Sequence, residues 1–370
     1  MRIGIEAQRV FRKNKHGMDY VVLEEIKRLQ NMDHNNEYYI FVKPGDDVCL
    51  KDTDKFHIIT LKCPSYPLWE QIALPLAARK LKLDILHCTS NTAPIFCPTP
   101  LVLTLHDIIF LEKRTHTNLS LYQNMGWYYR KWVVPMILNK CSRIITVSDF
   151  ERNNILNKLN IQADKLKMIY NGVNDWFTPE AINDTAYTQY IDEPGYFLFL
   201  GNTDPKKNTE GTLIAYSNYL KESTVKRPLL VADLDRDRAN KIIAQHHLDN
   251  IADHIILPGY INNAHLPSIY AHAYTFIYTS YRESFGIPLL EAMASGTPVI
   301  TSNTSSMPEI AAEAALFSNP HDPKTITEAM IRIEREKTLH HTLSEAGKQR
   351  AQHFSWTNTA QQLLQLYESI

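Results

Sequence analysis

Two glutamates, Glu283 and Glu291, stand eight positions apart in the stretch YRESFGIPLLEAMASGTPVIT. Side chains that share a helix face are about three or four positions apart, so this spacing does not stack the two carboxylates. Carboxylates accept hydrogen bonds from hydroxyl groups, which makes sugars natural ligands for such a pair. Two carboxylates held at different heights over one site could contact separate hydroxyls of an elongated ligand.

The residues between the two glutamates predict how the chain holds them apart. Pro288 suits the first turn of a helix, where its missing N–H needs no partner, and Gly296 suits the position just after a helix end. These signals predict a helix over residues 288–295, with Glu283 in the loop before it. Gly286 lets the backbone approach a ligand closely, with amide groups near the helix N-terminus directed at it.

Short apolar runs alternate with longer amphipathic runs along the chain. This pattern is typical of parallel sheets covered by helices on both faces. The predicted strands form two series, which indicates two doubly wound α/β domains. They are predicted at residues 2–7, 38–42, 56–61, 84–88, 101–107 and 143–148, and then at 196–201, 228–232, 254–259, 275–280 and 298–302.

The length of 370 residues fits two domains of ordinary size. The polar stretch 171–195 lacks clear periodicity and predicts the join between them. We predict an N-terminal domain over residues 1–172, a C-terminal domain over 173–354 and a separate amphipathic helix over 355–370.

Composition is that of an ordinary soluble protein, with 44% hydrophobic and 21% charged residues. The net charge of −1 hides an asymmetry, because residues 1–170 carry a net +7 and the remainder a net −8. The five cysteines contain no C-x-x-C pair, which predicts free thiols rather than a zinc or disulfide framework. Residues 1–15 lack the apolar core of a signal peptide, so a cytoplasmic location is expected.

The glycines are few, 12 in all, and several follow predicted strands. Gly172, Gly201, Gly259 and Gly286 lie at or just beyond the carboxyl ends of strands, and Gly17 lies in the loop after the first strand. Open α/β sheets bind their ligands at that edge. The glycine positions therefore predict a ligand site at the strand ends.

The sequence resembles a known family, the retaining GT-B glycosyltransferases of family 4 (group 1), in its mannosyltransferase-like branch. The run SYRESFGIPLLEAMASGTPVITSNTSSMPEIAAEAALFSNPHDP is similar to the family's E-x7-E region. Other stretches agree in the same order: LWEQIALP, LTLHDIIFL, RIITVSDFERNNIL, IYNGVN, FLGNTDPKKN and GYI. The resemblance implies two Rossmann-like domains facing across a cleft, with a C-terminal helix that crosses back to the N-terminal domain.

The resemblance also implies roles for individual residues. The C-terminal domain would bind a nucleoside-diphosphate sugar and the N-terminal domain the acceptor. Glu283 would contact hydroxyls of the donor sugar near the reacting centre, His106 would reach the same sugar, and Glu291 would hold the ribose hydroxyls. The other implied donor-site residues are Gly17, Gly201, Asn202, Lys207, Tyr260, Ser284, Phe285 and Gly286.

Two stretches depart from the family pattern. Many members have an arginine where this chain has Asn202, which leaves more of the diphosphate charge to Lys207, with Lys206 beside it; a solvated surface pair of lysines is the alternative. The D-x-D formed by Asp233 and Asp235 is the metal motif of the other glycosyltransferase fold. We interpret it as a helix cap, so no metal is expected.

Two segments are assigned to the acceptor side. Trp69 and Glu70 lie in LWEQIALP, and Arg130 and Lys131 lie in the aromatic run LYQNMGWYYRKWVVP. This run is interpreted either as a core-facing helix or as an interfacial patch for a lipid-linked acceptor.

The expected function is retaining, metal-independent transfer of a hexosyl residue, with mannose first, to a glycan or lipid-linked oligosaccharide in surface polysaccharide or glycoconjugate synthesis. GDP-mannose is the first expected donor and a UDP-sugar the second, with no cofactor, no nucleic acid and a peripheral contact at the inner face of the membrane. The alternatives are a catalytically inactive GT-B partner subunit and a GT-B nucleotide-sugar epimerase. The joint presence of His106, Lys207, Glu283 and Glu291 argues against an inactive subunit.

Overall fold

The computed structural model describes residues 1–13, 15, 17–112, 121–201 and 204–370, with the side chains of 121–123 outside that description. The chain divides into two compact units. Unit 1 comprises Met1–Asn171 and Trp356–Ile370, and unit 2 comprises Gly172–Ser355.

Unit 1 is built around a seven-stranded sheet of β1 (Arg2–Glu6), β2 (Glu37–Val42), β3 (Phe56–Thr60), β4 (Ile85–Cys88), β5 (Leu101–Thr104), β6 (Cys141–Thr146) and β7 (Leu166–Met168). The strands are parallel and run in the order β3-β2-β1-β4-β5-β6-β7. The order reverses between β1 and β4, so the carboxyl ends of these strands flank the crevice where such sheets bind ligands.

Helices cover both faces of this sheet. They are α1 (Gly17–Met32), α2 (Tyr66–Leu68), a π-helical turn (Trp69–Ala73), α3 (Leu74–Lys80), α4 (Leu121–Ile137) and α5 (Asp149–Lys158), with 3-10 turns at Ile109–Leu111, Leu138–Lys140 and Ala163–Lys165. Successive strand residues point to opposite faces, so Leu101 and Leu103 join one apolar core while Val102 joins the other. This two-sided burial explains why the strands are continuously apolar.

Unit 2 contains a six-stranded parallel sheet of β8 (Tyr196–Leu200), β9 (Leu229–Ala232), β10 (Ile255–Gly259), β11 (Ala273–Tyr278), β12 (Val299–Ser302) and β13 (Leu316–Ser318). Its order is β10-β9-β8-β11-β12-β13, the doubly wound order of a Rossmann sheet. The order reverses between β8 and β11, which defines the ligand edge of unit 2.

The helices of unit 2 are α6 (Thr209–Glu222), α7 (Arg236–His246), α8 (Leu266–His272), α9 (Ile287–Ala294), α10 (Met307–Ala311), α11 (Pro323–Arg335) and α12 (Lys337–Ala351). Its 3-10 turns are Pro179–Asn183, Ala186–Gln189, Pro205–Lys207, Asp249–Ile251 and Asn263–His265. Local sequence explains the helix starts: Asp322 caps α11 by accepting a hydrogen bond from the Lys324 backbone N–H at 3.1 Å.

The last helix, α13 (Trp356–Glu368), belongs to unit 1. Its residues Leu363 and Tyr367 are buried in the same core as α1. The Tyr367 hydroxyl is 2.7 Å from Nδ1 of His87, whose Nε2 is 2.7 Å from the Thr104 hydroxyl. This buried chain of hydrogen bonds fixes α13 on the sheet.

The predicted fold, two Rossmann-like units with a C-terminal helix that returns to the first, is confirmed. Every predicted strand is present, and the helix predicted over 288–295 is Ile287–Ala294. Strands β7 and β13 were not predicted, because edge strands of three residues leave no periodic pattern. Within the described ranges, no helix has both the length and the apolarity needed to cross a bilayer.

Candidate functional site

The carboxyl ends of β8 and β11 lie side by side at the ligand edge of unit 2. Gly201 follows β8 directly, and a Cβ added there would lie 2.8 Å from the Phe199 ring and 2.9 Å from Val231. Such approaches are far inside van der Waals contact, so packing requires glycine at this position. The predicted Gly201 thus marks the end of the strand, and Asn202 lies outside the described residues.

A fixed turn follows at Pro205–Lys207. After it, Asn208 adopts the left-handed conformation, with φ of 57°. Its Nδ2 donates to the carbonyl oxygens of Thr279 at 3.1 Å and Pro320 at 2.8 Å. These hydrogen bonds of Asn208 therefore hold the Pro205–Lys207 turn against the loop after β11.

Lys207 and Glu283 form an ion pair across the ligand edge. The Lys207 Nζ lies 2.7 Å from Glu283 Oε1, and the two side chains are 17% and 12% exposed. Lys206 turns away, toward Asp204 at 3.8 Å, and its side chain is 37% exposed. Of the two lysines, Lys207 is the one directed into the site.

The charge of Glu283 is stabilised by this arrangement. Burial alone would favour the neutral acid, but the positive charges of Lys207 and Lys206 and the hydrogen bond from Lys207 outweigh it. The pKa of Glu283 is therefore below that of an ordinary glutamate. In this site the Glu283 carboxylate and the Lys207 ammonium group are mutual counter-ions.

The loop that carries Glu283 is held by two serines after β12. The Glu283 backbone N–H donates to Ser305 Oγ at 2.9 Å, and Ser306 Oγ donates to the carbonyl oxygens of Glu283 and Phe285, each at 3.0 Å. Gly286 caps α9 with φ of 104°, a conformation that side chains disfavour. The serine pair was not singled out from the sequence, although two hydroxyl residues directly beyond a strand end are a recognisable signal.

Glu291, one turn into α9, has a different environment from Glu283. The hydroxyl of the buried Tyr270 donates to Glu291 Oε2 at 3.2 Å. Burial of the carboxyl raises the pKa of Glu291 to about 7, and the tyrosine offsets part of this effect. The two glutamates of the motif therefore differ in charge state: Glu283 is an anion with a lowered pKa, whereas the raised pKa of Glu291 lies near neutral pH.

Tyr278, the last residue of β11, connects the two glutamates. It is buried, and its ring lies 5.1 Å from the Lys207 Nζ. Burial and the neighbouring carboxylates of Glu283 and Glu291 raise its pKa well above the ordinary value, so the hydroxyl stays protonated. Its place at the end of an apolar strand gave no separate signal in the sequence.

The D-x-D residues have separate local functions. The Asp235 carboxylate accepts from the Arg238 backbone N–H at 2.8 Å and caps α7, which confirms its interpretation as a helix cap. Asp233 has φ of 60°, and burial raises its pKa while Lys207 lowers it in part. In the described part of the chain, no cluster of three His, Cys, Asp or Glu side chains is arranged to hold a metal ion.

The other predicted donor residues of unit 2 differ in exposure. Tyr260 follows β10 and is exposed, whereas Ser284 is half-buried. The Phe285 ring is buried and packs edge-on against Phe354, with ring centroids 5.8 Å apart. Phe285 can therefore offer its backbone to a ligand, while its ring anchors the loop.

His106 lies at the ligand edge of unit 1, just beyond β5. Its Nε2 is 3.0 Å from the Thr89 carbonyl oxygen, and its backbone N–H donates to Asn91 Oδ1 at 2.6 Å. Burial lowers the pKa of His106, so the imidazole is neutral. Because a carbonyl only accepts, Nε2 carries the proton and Nδ1 keeps a lone pair. Gly17, also in unit 1, begins α1, and a Cβ added there would meet nothing within 4 Å.

The predicted acceptor-side residues Trp69 and Glu70 are both buried. The Trp69 indole has no exposed surface and donates to the Leu61 carbonyl oxygen at 3.1 Å. Glu70 accepts hydrogen bonds of 2.5 Å each from Tyr66, Thr92 and Tyr129. The structure gives both side chains packing and anchoring contacts inside unit 1.

The predicted cations of α4 lie in different settings. Arg130 is half-buried, whereas Lys131 is exposed and its Nζ lies 4.6 Å from the Trp127 ring. The helix buries one side, including Val133 and Ile137, and exposes the other. The buried side of α4 confirms the interpretation as a core-facing helix, and the interpretation as an interfacial patch stays a prediction.

Comparison with known proteins gives two family matches. Residues 186–350 match the family described as glycosyl transferases group 1, and residues 16–177 match Glycosyltransferase Family 4. The O-antigen chain mannosyltransferase B of Escherichia coli is 29% identical over 237 residues, which are 62% of this chain and 61% of that protein. The O-antigen chain mannosyltransferase RfbU of Salmonella typhimurium is 29% identical over 210 residues, 56% of this chain and 55% of that protein. Each alignment spans less than two thirds of the relative's length.

Solved structures show the same fold. Sucrose-phosphate synthase from Thermosynechococcus elongatus superposes with a TM-score of 0.76 at 20% identity, covering 100% of this chain and 98% of that one. Anabaena HepE in complex with UDP and glucose gives 0.74 at 15% identity, covering 100% of both chains. The two family matches together account for most of the sequence. The chain belongs to glycosyltransferase family 4, group 1.

Proposed function

We propose that this chain transfers a hexosyl residue from a nucleoside-diphosphate sugar to a glycan or lipid-linked oligosaccharide, in the synthesis of a surface polysaccharide. The observation that carries the proposal is the Lys207–Glu283 pair, 2.7 Å apart at the ligand edge of unit 2. A lysine in this position can take the diphosphate as a new counter-ion, and the carboxylate it leaves can accept a sugar hydroxyl.

The proposed reaction retains the anomeric configuration by a front-face route. The bond between the anomeric carbon and the phosphate oxygen breaks, and the acceptor oxygen bonds to the same carbon from the same face. The acceptor proton passes to an oxygen of the departing phosphate, whose growing charge is offset by Lys207. Glu283 is ion-paired and has a lowered pKa, which makes it a weak nucleophile and argues against a covalent glycosyl-enzyme.

Charge neutralisation by side chains and helix termini would make a divalent metal unnecessary. Lys207 supplies a fixed cation, and the amides around Gly286 lie at the N-terminus of α9, where anions are stabilised. Asp235 is engaged as a helix cap, so the D-x-D sequence does not by itself support a metal site.

Mannose is the first candidate for the transferred sugar. Two of the relatives bear the name O-antigen chain mannosyltransferase, which supports GDP-mannose as the first donor to test. A UDP-sugar is the second candidate.

The deciding experiment combines donor binding with turnover. The thermal unfolding midpoint should rise with one of GDP-mannose, UDP-glucose, ADP-glucose or dTDP-glucose, because a ligand that binds only the folded state stabilises it by about 2.7 kcal/mol at 100 times its Kd. With that donor and an oligomannose acceptor, NMR of the product should show retention, and EDTA should leave the rate unchanged. No stabilisation by any donor would contradict the proposed function; inversion, or loss of activity in EDTA with recovery in Mn²⁺, would contradict the proposed mechanism.

A further inference from the structure

The side chain of Tyr278 packs against the loop that carries Glu283. Tyr278 is buried at the end of β11, and its ring lies 5.1 Å from the Lys207 Nζ. A Cβ added at Gly286 would be 3.5 Å from Cε1 of this ring, a carbon next to the one that bears the hydroxyl. The hydroxyl end of Tyr278 is therefore directed at the loop from Glu283 to Gly286, beside the ion pair.

Two hydroxyl groups from the end of β11 act on the Glu283 carboxylate. After burial, the charge of Glu283 and a hydrogen bond to it are the main causes that raise the pKa of Tyr278. Burial also opposes the charge of Glu283, and it is outweighed by the two lysines of the Pro205–Lys207 turn together with a hydrogen bond from Ser280, which lower its pKa. We call Tyr278 and Ser280 the hydroxyl pair. Glu283 thus has two kinds of partner, which are cations and neutral hydroxyl groups.

The proposed function changes only one kind of partner. When the diphosphate takes Lys207 as its counter-ion, the Glu283 carboxylate loses a cation and gains a negatively charged neighbour. Both changes disfavour an ionised, buried carboxyl group. Tyr278 does not depend on Lys207 for its position, because its ring is buried and stacked on Phe276, with ring centroids 5.5 Å apart. Its hydroxyl can therefore stay beside Glu283 while the lysine changes partner.

We propose that the hydroxyl pair replaces Lys207 as the partner of Glu283 when a nucleoside-diphosphate sugar binds. Tyr278 and Ser280 are then positioning residues, which keep the Glu283 carboxylate ionised and directed at the sugar. A carboxylate accepts several hydrogen bonds at once, so a hydroxyl of the sugar can bind to Glu283 in addition. The inference rests on the proposed function and adds how one buried anion stays charged while another binds beside it.

The charged and titratable surroundings of Glu283 decide which measurement is informative. The groups that face it are Lys206, Lys207, Arg282 and Tyr278, and Glu291 acts on Tyr278 from α9. Of these groups and Glu283 itself, the two carboxylates are the ones whose titration can limit the rate on the acid side. The pH dependence of kcat reports ionisations in the enzyme–substrate complex, and that of kcat/KM reports those of the free enzyme. The two profiles therefore separate Glu283 with the donor bound from Glu283 paired with Lys207.

The test is the pH dependence of turnover by the full chain with an oligomannose acceptor and GDP-mannose, or UDP-glucose if that donor raises the unfolding midpoint. Tyr278→Phe keeps the ring and removes the hydroxyl. The acid limb of kcat should move up by about one pH unit, because a hydrogen bond to a charged group is worth about tenfold or more. Below the limb, kcat should be about tenfold lower, while the limb of kcat/KM stays in place. Tyr278→Phe/Ser280→Ala should move the kcat limb further.

Two other buried tyrosines of unit 2 supply matched controls. The Tyr270 hydroxyl donates to Glu291 at 3.2 Å and lowers its pKa, so Tyr270→Phe should move the limb of kcat/KM upward and leave that of kcat in place. The Tyr196 hydroxyl donates to the Ile269 carbonyl oxygen at 2.7 Å. Tyr196→Phe should therefore lower the unfolding midpoint and move neither limb.

The outcomes separate this inference from the proposed function. An unchanged kcat limb in Tyr278→Phe, with the unfolding midpoint preserved, would make the hydroxyl pair structural and overturn the inference alone. Equal shifts of the kcat and kcat/KM limbs would also overturn it, because the hydroxyl would then act on Glu283 before the donor binds. An unmodified chain that neither binds nor uses any of the tested donors would overturn both.

Discussion

Buried carboxylates are treated differently in the two units, although both units have the same doubly wound topology. In unit 1, Glu70 is surrounded by hydroxyl and amide donors, and burial raises its pKa. In unit 2, Glu283 is paired with a lysine, and its pKa is lowered. Hydrogen bonds from hydroxyl groups are enough to hold a buried carboxyl group in place. A lysine beside a carboxylate instead forms an ion pair, in which an anionic ligand can take the place of the carboxylate.

This contrast indicates where an anionic substrate can bind. If a diphosphate replaces Glu283 beside Lys207, the lysine keeps an anionic partner. The cost of desolvating its ammonium group is therefore not incurred a second time. The hydroxyl donors around Glu70 offer no comparable positive charge. The ligand edge of unit 2 is therefore the one suited to a diphosphate.

The largest expected effect comes from removing the cation that defines the contrast. Lys207→Ala should lower kcat/KM by on the order of 10²-fold or more, because it would remove the preorganised charge that we propose for stabilising the leaving diphosphate. Lys206→Ala is the matched control, and it should cost far less because this side chain lies at the surface. Steady-state kinetics with the preferred donor decide the matter; the opposite ranking of the two variants would show that Lys206 is the phosphate ligand.

The next effect separates the two glutamates of unit 2. Glu283→Gln should lower kcat by on the order of 10²-fold, because the proposed reaction places its carboxylate beside the reacting centre. Glu291→Gln should chiefly raise the donor KM. The pKa of Glu291 is raised to about 7, so the unmodified enzyme should bind donor less tightly as pH falls from about 8 to 6 and the carboxylate is protonated. Glu291→Gln should remove this dependence. Equal effects of both variants on KM alone would contradict the division of roles.

A smaller effect is expected at the ligand edge of unit 1. His106→Ala should lower kcat about tenfold if Nδ1 of the imidazole accepts one hydrogen bond from a hydroxyl of the donor sugar, which is roughly the value of a single neutral hydrogen bond. His87→Ala is a control of the same residue type, buried against Tyr367, and should affect the unfolding midpoint instead. An unchanged kcat in His106→Ala, with the fold intact, would make His106 a structural residue.

Much of this arrangement could be predicted from sequence, because strands buried on both faces must be apolar and because glycine and proline mark helix boundaries. The resemblance to the family pointed to Lys207, and the structure places this lysine at the ligand edge of unit 2. The tyrosines that contact the glutamates could not be predicted in this way. Tyr270 and Tyr278 belong to an apolar helix and an apolar strand, where a hydroxyl gives no periodic signal, and their contacts with Glu291 and Glu283 exist only after the strands are ordered in the sheet.

The π-helical turn at Trp69–Ala73 was also beyond prediction from sequence. The segment has the amphipathic pattern of a regular helix. Its extra residue is stabilised by tertiary contacts, namely the buried Trp69 ring and the hydrogen bonds of Glu70 to Tyr66, Thr92 and Tyr129. The contacts with Thr92 and Tyr129 join residues far apart in the chain and leave no local pattern.

The smallest expected effect tests whether unit 1 truly holds carboxyl groups as neutral acids. Glu25 of α1 is buried near Tyr367 of α13, and burial raises its pKa to about 8. The folded state therefore keeps a proton that the unfolded state loses above about pH 4.5, so the stability contributed by Glu25 is fully present below pH 4.5 and is lost as pH rises to about 8. Glu25→Gln should match the unmodified chain at pH 4 and exceed it in stability at pH 8.5 by more than about 1 kcal/mol, the equivalent of one pKa unit. Glu24→Gln is the neighbouring control, because Glu24 is paired with Lys27 at 3.0 Å and should gain nothing at high pH. Urea unfolding at both pH values gives the comparison, and a Glu25→Gln variant that is less stable at pH 8.5 would mean that Glu25 is folded as a paired anion, as Glu283 is in unit 2.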